Sequence, residues 1–283
     1  MAHELRYRIV NVFAETPLGG NPLCVFEDGS TLDAETMQAL ALQFNLSETT
    51  FLLPASREEA TRRVRIFTPS FEMPFAGHPT LGSAHVVRSL SHCGDRIALE
   101  MPAGVIPVEA QADRWTLQAN EPKSRDAGLS RTQLAGILGI EASDVRDGAL
   151  WVDTGSEQLI VPLASADAVK RCRPNVERLV NECVGQRRRG LAHVWAREDA
   201  HGIRVRFFFE KQGGLTEDPG TGSACANLGG WFIAHGEPLP LEATVMQGDH
   251  LGRPCRLGLR IDAEKRIFVS GRVIEIGHGV VAM

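Results

Sequence analysis

The sequence predicts an α+β protein made of two pseudo-symmetric lobes, each a curved sheet around a buried helix. Three observations predict it. One loop occurs twice: Glu72-Met73-Pro74-Phe75-Ala76-Gly77-His78-Pro79 and Glu217-Asp218-Pro219-Gly220-Thr221-Gly222-Ser223-Ala224 hold Glu, Pro and Gly at the same relative positions. The copies lie 145 residues apart (217 minus 72) in a chain of 283, close to half its length. Each copy opens a stretch without Asp, Glu, Lys or Arg, residues 75–87 and 219–233. A helix with one face in water normally carries charges there, so both stretches predict helices buried all round. The rest reads as many short strands and about five helices in all, without the βαβα alternation of a doubly wound parallel sheet.

In chain order, residues 7–13 alternate as a strand, with Ile9 among its core candidates, and 23–27 form a second after the Gly19-Gly20-Asn21-Pro22 turn. Met37, Leu40, Ala41 and Phe44 fall at i, i+3, i+4 and i+7, which predicts a helix over 34–44. Asn45 ends it, since Asn tolerates the left-handed conformation. Strands follow at 49–53 and 63–68, the latter with Val64 and Ile66 on one face and Arg63 and Arg65 on the other. The first buried helix covers 79–90, with Pro79 in its first turn, where a missing N–H costs nothing. Strands at 97–101, 105–110 and 115–119 complete the first half.

The polar, proline-containing Asn120-Glu121-Pro122-Lys123-Ser124-Arg125 reads as the linker between the lobes. It divides the chain into 1–120 and 121–283, with the last ~12 residues free to return to the first lobe and the active-site cleft between the two. In the second half, Ser130-Arg131-Thr132-Gln133 is a capping-box pattern ahead of Leu134, Ile137 and Leu138. A strand at 158–161 precedes an amphipathic helix over 175–184 through Val176, Leu179, Val180 and Cys183. Strands at 191–196 and 203–209 lead to the second loop and its helix, and strands at 243–247, 256–261, 267–269 and 273–276 finish the chain.

Composition narrows the function. The chain is 43% apolar and 23% charged, as a soluble globular protein is. A net charge of −5 gives no basic field for nucleic acid, and the Arg187-Arg188-Arg189 run reads as solvated surface. The N-terminal residues lack the apolar core of a signal peptide, and no run of 18 apolar residues predicts a membrane span. Cysteines 24, 93, 172, 183, 225 and 255 form no CxxC pair, so they read as reduced thiols and no metal site is expected. These features together predict a cytoplasmic protein.

The repeated loop carries the first chemistry. A helix start exposes backbone N–H groups that bind anions, so two such starts predict one small anionic ligand between the lobes. Gly77, Gly222 and Ser223 would supply those groups, Ser223 with a hydroxyl as well. Glycines at a turn also serve geometry alone, and both roles are compatible. Glu48 follows the Asn45-Leu46-Ser47 turn; an exposed carboxylate is the commoner fate. Phe51, Leu52 and Leu53 follow it, however, so the segment heads into a core, where a desolvated carboxylate becomes a usable general base or acid. His78 alone is more often a cap or core histidine, and Asp218 alone a helix-start carboxylate. In equivalent loops of a repeat they gain weight together. Gly220-x-Gly222 lacks the third glycine of a dinucleotide fingerprint, and no Walker A, HExxH or EF-hand pattern is present. Cys225 reads as a packed thiol.

These residues resemble the phenazine-biosynthesis isomerase-like (PhzF-like) family, related to diaminopimelate epimerase and proline racemase. The resemblance spans the chain through Gly20-Asn21-Pro22, Asn45-Leu46-Ser47-Glu48-Thr49, Arg65-Ile66-Phe67-Thr68-Pro69, Phe75-Ala76-Gly77-His78-Pro79, the second loop, Gln247-Gly248 and Gly252-Arg253-Pro254. It implies the diaminopimelate epimerase-like fold, with barrel-like, mostly antiparallel sheets, and it implies homodimers and no cofactor. It also implies that Glu48 moves a proton along a small cyclic amino acid, that His78 and Asp218 assist, and that the backbone around Gly77, Gly222 and Ser223 holds the substrate carboxylate. Two departures bear on the substrate: Gly220 stands where many members have Ala, and Glu210 follows Phe208-Phe209 where members often have Pro. The catalytic cysteines of the epimerase relatives align with Pro74 and Pro219, which argues against a two-thiol racemase. The reading is a cofactor-independent isomerase acting by acid/base proton transfer on a small carboxylate or amino-acid-like substrate. Its alternatives are an inactive ligand-binding or protein-interaction member, and a racemase or epimerase that uses no cysteine.

Overall fold

The computed structural model describes residues 4–186, 190–211 and 213–283. The Arg187-Arg188-Arg189 run lies outside the described residues. The first elements are β1 (Glu4–Val12), β2 (Asn21–Phe26), α1 (Ala34–Phe44), β3 (Glu48–Leu53), β4 (Arg62–Phe67), β5 (Glu72–Met73), α2 (Gly77–Ser91), β6 (Arg96–Met101), β7 (Gly104–Gln111) and β8 (Arg114–Gln118). They are followed by β9 (Lys123–Asp126), α3 (Arg131–Leu138), β10 (Leu150–Asp153), β11 (Glu157–Pro162), α4 (Ala166–Arg171), α5 (Val176–Glu182), β12 (Leu191–Arg197) and β13 (Gly202–Lys211). The last are β14 (Gly214–Asp218), α6 (Gly222–Ala234), β15 (Leu241–Gln247), β16 (Cys255–Ile261) and β17 (Ile267–Ala282). No helix among the described residues is long and apolar enough to cross a membrane.

The chain divides into two compact units. The first runs to Gln118 and takes back Ser270–Met283; the second is Ala119–Val269. In the first, hydrogen-bonded pairing runs β1–β2–β3–β4–β6–β7–β8–β17 and returns to β1, a closed eight-stranded barrel. β2–β3 and β4–β6 are its parallel pairs. Closure leaves no sheet edge in need of cover. α2 packs against β1, β2, β3, β4, β6, β7 and β8, so it is the central helix of this barrel. The absence of charge up to Val87 now has a cause: Leu81, Ala84, Val86 and Val87 are all buried, and no position from Gly77 to Ala84 reaches water freely. Gly82 lets the helix approach the wall, because a Cβ there would lie 2.6 Å from Leu23 Cδ2. α1 lies against β3 and β4, burying the Met37, Leu40 and Ala41 stripe. Asp33 caps it by accepting from the Thr36 N–H, and Asn45 closes it at φ 51°.

The second unit repeats the order. β11–β12 is parallel as β2–β3 is, β13–β14 antiparallel as β4–β5 is, and β13–β15 parallel as β4–β6 is. β10–β11, β12–β13 and β15–β16 match β1–β2, β3–β4 and β6–β7. α6 corresponds to α2 and packs against β9, β10, β11 and β16, with Ala224 to Phe232 buried without a break. α3, α4 and α5 cover the outside, and Ser130 makes the capping box with Gln133.

The repeat extends to side chains. Arg65 donates from Nε and Nη2 to both oxygens of Glu72, each at 2.7 Å, and its guanidinium lies over Phe67. Arg206 makes the same fork on Glu217, at 3.0 and 2.7 Å, and lies over Phe208. Each fork holds the strand that carries one copy of the loop into its helix.

Two expectations need correction. The stretch read as a linker contains β9, which pairs antiparallel with β10. The strands expected at 267–269 and 273–276 are one strand of 16 residues, β17.

Candidate functional site

Each unit presents one group of polar side chains at the start of its buried helix. In the first, α1 ends at Asn45 and the chain turns into β3, whose first residue is Glu48, in register with Leu23 of β2. Its side chain is 16% exposed, and Oε2 lies 3.5 Å from Nε2 of His78. His78 is the second residue of α2 and is buried. Burial pushes its imidazole down to about 3, against an opposing pull from the Pro22 backbone, so the ring is neutral at physiological pH. The contact is thus a carboxyl group beside a neutral imidazole, longer than an ordinary hydrogen bond. Asn21 Nδ2 lies 3.5 Å from Nδ1 of the same ring. The helix N-cap, Ala76, places no side chain over the N–H groups of Gly77 and His78, and Pro79 contributes none.

In the second unit, β14 ends at Asp218, and α6 begins after Thr221 with Gly222 and Ser223. Its N-cap, Thr221, makes no side-chain cap bond either. His78 and Ser223 therefore hold the same second position in the two helices. Beneath the loop lies Gln247, 1% exposed. Its Oε1 accepts from the Thr221 N–H at 3.0 Å, and its Nε2 donates to the Asp218 carbonyl at 2.8 Å and to Thr221 Oγ1 at 3.0 Å. Thr221 Oγ1 donates in turn to the Asp218 carboxylate. Gly248 follows at φ 77°, and a Cβ there would meet the carbonyl oxygens of Arg253 and Pro219 at 2.3 and 2.5 Å. Gln247-Gly248 thus fixes the Asp218-Pro219 turn from below, and only glycine fits.

Of the residues the sequence singled out, Glu48, His78 and Gly77 gather in the first group, and Asp218, Gly222 and Ser223 in the second. Sequence reasoning gave no role to Gln158, Thr221 or Asn227 and used Gln247 as a marker alone. A lone Asn in an otherwise uncharged buried helix was the available signal. Cys225 and Cys255 are buried, and burial pushes both thiols up, away from nucleophilic form.

Comparison with known proteins gives the family. A family model described as phenazine biosynthesis-like protein matches residues 10–282. The chain belongs to the phenazine biosynthesis-like family. An uncharacterized isomerase of Pasteurella multocida is 41% identical over 276 residues, covering 96% of this chain and 92% of the relative. The trans-2,3-dihydro-3-hydroxyanthranilate isomerase of Pseudomonas chlororaphis is 32% identical over 293 residues, covering 98% and 99%. A PhzF-family phenazine biosynthesis protein of Bacillus anthracis superposes with a TM-score of 0.87 at 24% identity, over 99% of this chain and 100% of that one. The phenazine biosynthesis-like chain is accordingly an isomerase by family, with the family's fold.

Proposed function

We propose that the chain is a cofactor-independent isomerase that shifts a proton between carbons of a small carboxylate or amino-acid-like substrate. Glu48 is the proton carrier. The single observation behind this reading is the half-buried Glu48 carboxyl 3.5 Å from the buried, neutral His78. The neutral imidazole sets no positive charge beside the carboxyl and still offers an N–H. Glu48 takes a proton from an activated carbon and, its partly exposed carboxyl exchanging with solvent, returns a proton to another carbon, so atoms and charge balance. Carboxylate recognition falls to helix-start N–H groups, of Gly77 in the first unit and of Gly222 and Ser223 in the second, and His78 and Asp218 are the groups that steady charge and proton position. Trans-2,3-dihydro-3-hydroxyanthranilate, named for a relative 32% identical to this chain, is the first substrate to try.

The test is Glu48→Gln on whichever small carboxylic or amino acid the wild type turns over, trans-2,3-dihydro-3-hydroxyanthranilate first. One positioned base contributes about 10²–10⁴-fold, so kcat should fall by that order while thermal unfolding stays within a few degrees. Wild-type turnover by the variant removes Glu48 from the mechanism.

A further inference from the structure

A directed run of hydrogen bonds in the second unit ends on Ser223. Thr154 is buried, and its backbone N–H, which can only donate, meets Asn227 at 2.9 Å; the atom it meets is therefore Oδ1. Thr154 Oγ1 donates to the same oxygen at 2.7 Å. Asn227, fully buried in α6, then turns Nδ2 to the Ser156 carbonyl, which can only accept, at 2.8 Å. The same Nδ2 donates to Gln158 Oε1 at 2.8 Å. With its oxygen so engaged, the buried Gln158 presents Nε2 to Ser223 Oγ at 2.9 Å. Two backbone groups of fixed polarity thus set both amides and leave neither free to flip.

The consequence falls on the hydroxyl. Ser223 Oγ accepts from Gln158, so its proton must point elsewhere, and no other partner of that hydroxyl is found among the described residues. Ser223 also stands in the first turn of α6, whose N-cap, Thr221, makes no side-chain cap bond. A hydroxyl proton and helix-start N–H groups are all donors, so the group they suit is an acceptor.

We infer that Gln158 and Asn227 are positioning residues that commit the Ser223 hydroxyl to donate a hydrogen bond to the substrate carboxylate, an inference that rests on the proposed function for the identity of that group. An ammonium at the same place would face donors only and be rejected.

The test has two arms, both on the full chain. Neutron diffraction from deuterium-exchanged crystals reads the polarity without any ligand. The Gln158 Nε2 deuterium should point at Ser223 and the Ser223 hydroxyl deuterium away from Gln158; a Ser223 deuterium pointing at Gln158 overturns the inference. Calorimetry with anthranilate, an aromatic acid that has no isomerisation to undergo, reads the consequence. In Gln158→Glu the introduced carboxyl, once ionised at alkaline pH, only accepts and draws the Ser223 proton inward. Anthranilate affinity should fall about tenfold or more against wild type, the scale of a hydrogen bond to a charged group. On a Ser223→Ala background the same substitution should cost less than about threefold, because its route runs through the hydroxyl. An equal fall on both backgrounds overturns the inference. If Gln158→Glu does not fold, Gln158→Met, which removes the donor to Ser223 together with the acceptor for Asn227, replaces it in the same cycle, with the fall in affinity expected on wild type and not on the Ser223→Ala background. Failure of the wild type to bind anthranilate counts against the carboxylate site itself, and the neutron map then judges the positioning claim separately.

Discussion

Gln247 is the side chain on which the Asp218 loop rests, and Gln247→Leu removes that support while keeping a similar volume. The loss can be worked from its three hydrogen bonds, to the Thr221 N–H, the Asp218 carbonyl and Thr221 Oγ1. A net hydrogen bond contributes about 1 kcal/mol, and a buried partner left unsatisfied costs about 1–3 kcal/mol. Asp218 and Thr221 are only half-buried, so water re-solvates part of what is lost. The sum is roughly 2–4 kcal/mol. For a unit of this size about 1 kcal/mol corresponds to a Tm shift of roughly 2–4 °C, so the melting point should drop by roughly 5–15 °C. Differential scanning calorimetry measures it directly. Gln247→Glu separates the terms, since a carboxylate keeps the bond from the Thr221 N–H but cannot donate to the Asp218 carbonyl. It should destabilise as well, and kcat/KM should fall about tenfold or more in both variants as the Asp218 turn loses its placement. A Tm within 1 °C of wild type for Gln247→Leu, a margin of about 0.5 kcal/mol or less, would refute the reasoning.

Other consequences follow from the same geometry. Arg206 and Glu217 are 7% and 8% exposed, so Arg206→Met strands a buried carboxylate and should cost about 3–5 kcal/mol by urea denaturation. The matching Arg65 and Glu72 are 18% and 33% exposed, and Arg65→Met should cost about 1 kcal/mol or less. His193 is fully buried, neither ring nitrogen has a hydrogen-bond partner among the described residues, and burial pushes it down to about 3. Its folded-state pKa lies below the unfolded value, so its contribution is intact above about 6.5 and is lost as pH falls toward 3. In His193→Leu the slope of stability against pH in that window should flatten by about one proton, about 1.4 kcal/mol per pH unit; an unchanged slope contradicts the assignment. Gly82→Val pushes a side chain against Leu23 and Val12 and should destabilise by about 1–3 kcal/mol, read as a lower urea midpoint.

What the sequence disclosed and what it hid divide along physical lines. Local signals were legible. The apolar stripe at 37, 40, 41 and 44 with Asn45 behind it defines α1, and the Ser130 capping box opens α3. The two uncharged stretches mark α2 and α6, because a helix surrounded by sheet has no wet face for charges to occupy. Features made by partners were not legible. β9 is four polar, exposed residues, a strand only because β10 pairs with it. The break at Ser270-Gly271 made β17 look like two strands, while the strand runs on from Ile267 to Ala282 and pairs with β1 from Val273 onward. At the candidate site the loops were visible through their repetition. Their supports were not: Gln158 lies 65 residues from Ser223, and Gln247 lies 26 from Thr221. No local pattern records contacts over that separation.

The central claim is that Glu48 carries the proton, and solvent exchange tests it most directly. Wild type and Glu48→Gln are incubated in D₂O with the turned-over acid, and deuterium in the recovered substrate and product is followed by NMR and mass spectrometry. The account predicts incorporation by wild type at the carbon that receives the proton, and its loss in a Glu48→Gln protein that still folds. Incorporation by Glu48→Gln at the wild-type rate would contradict it.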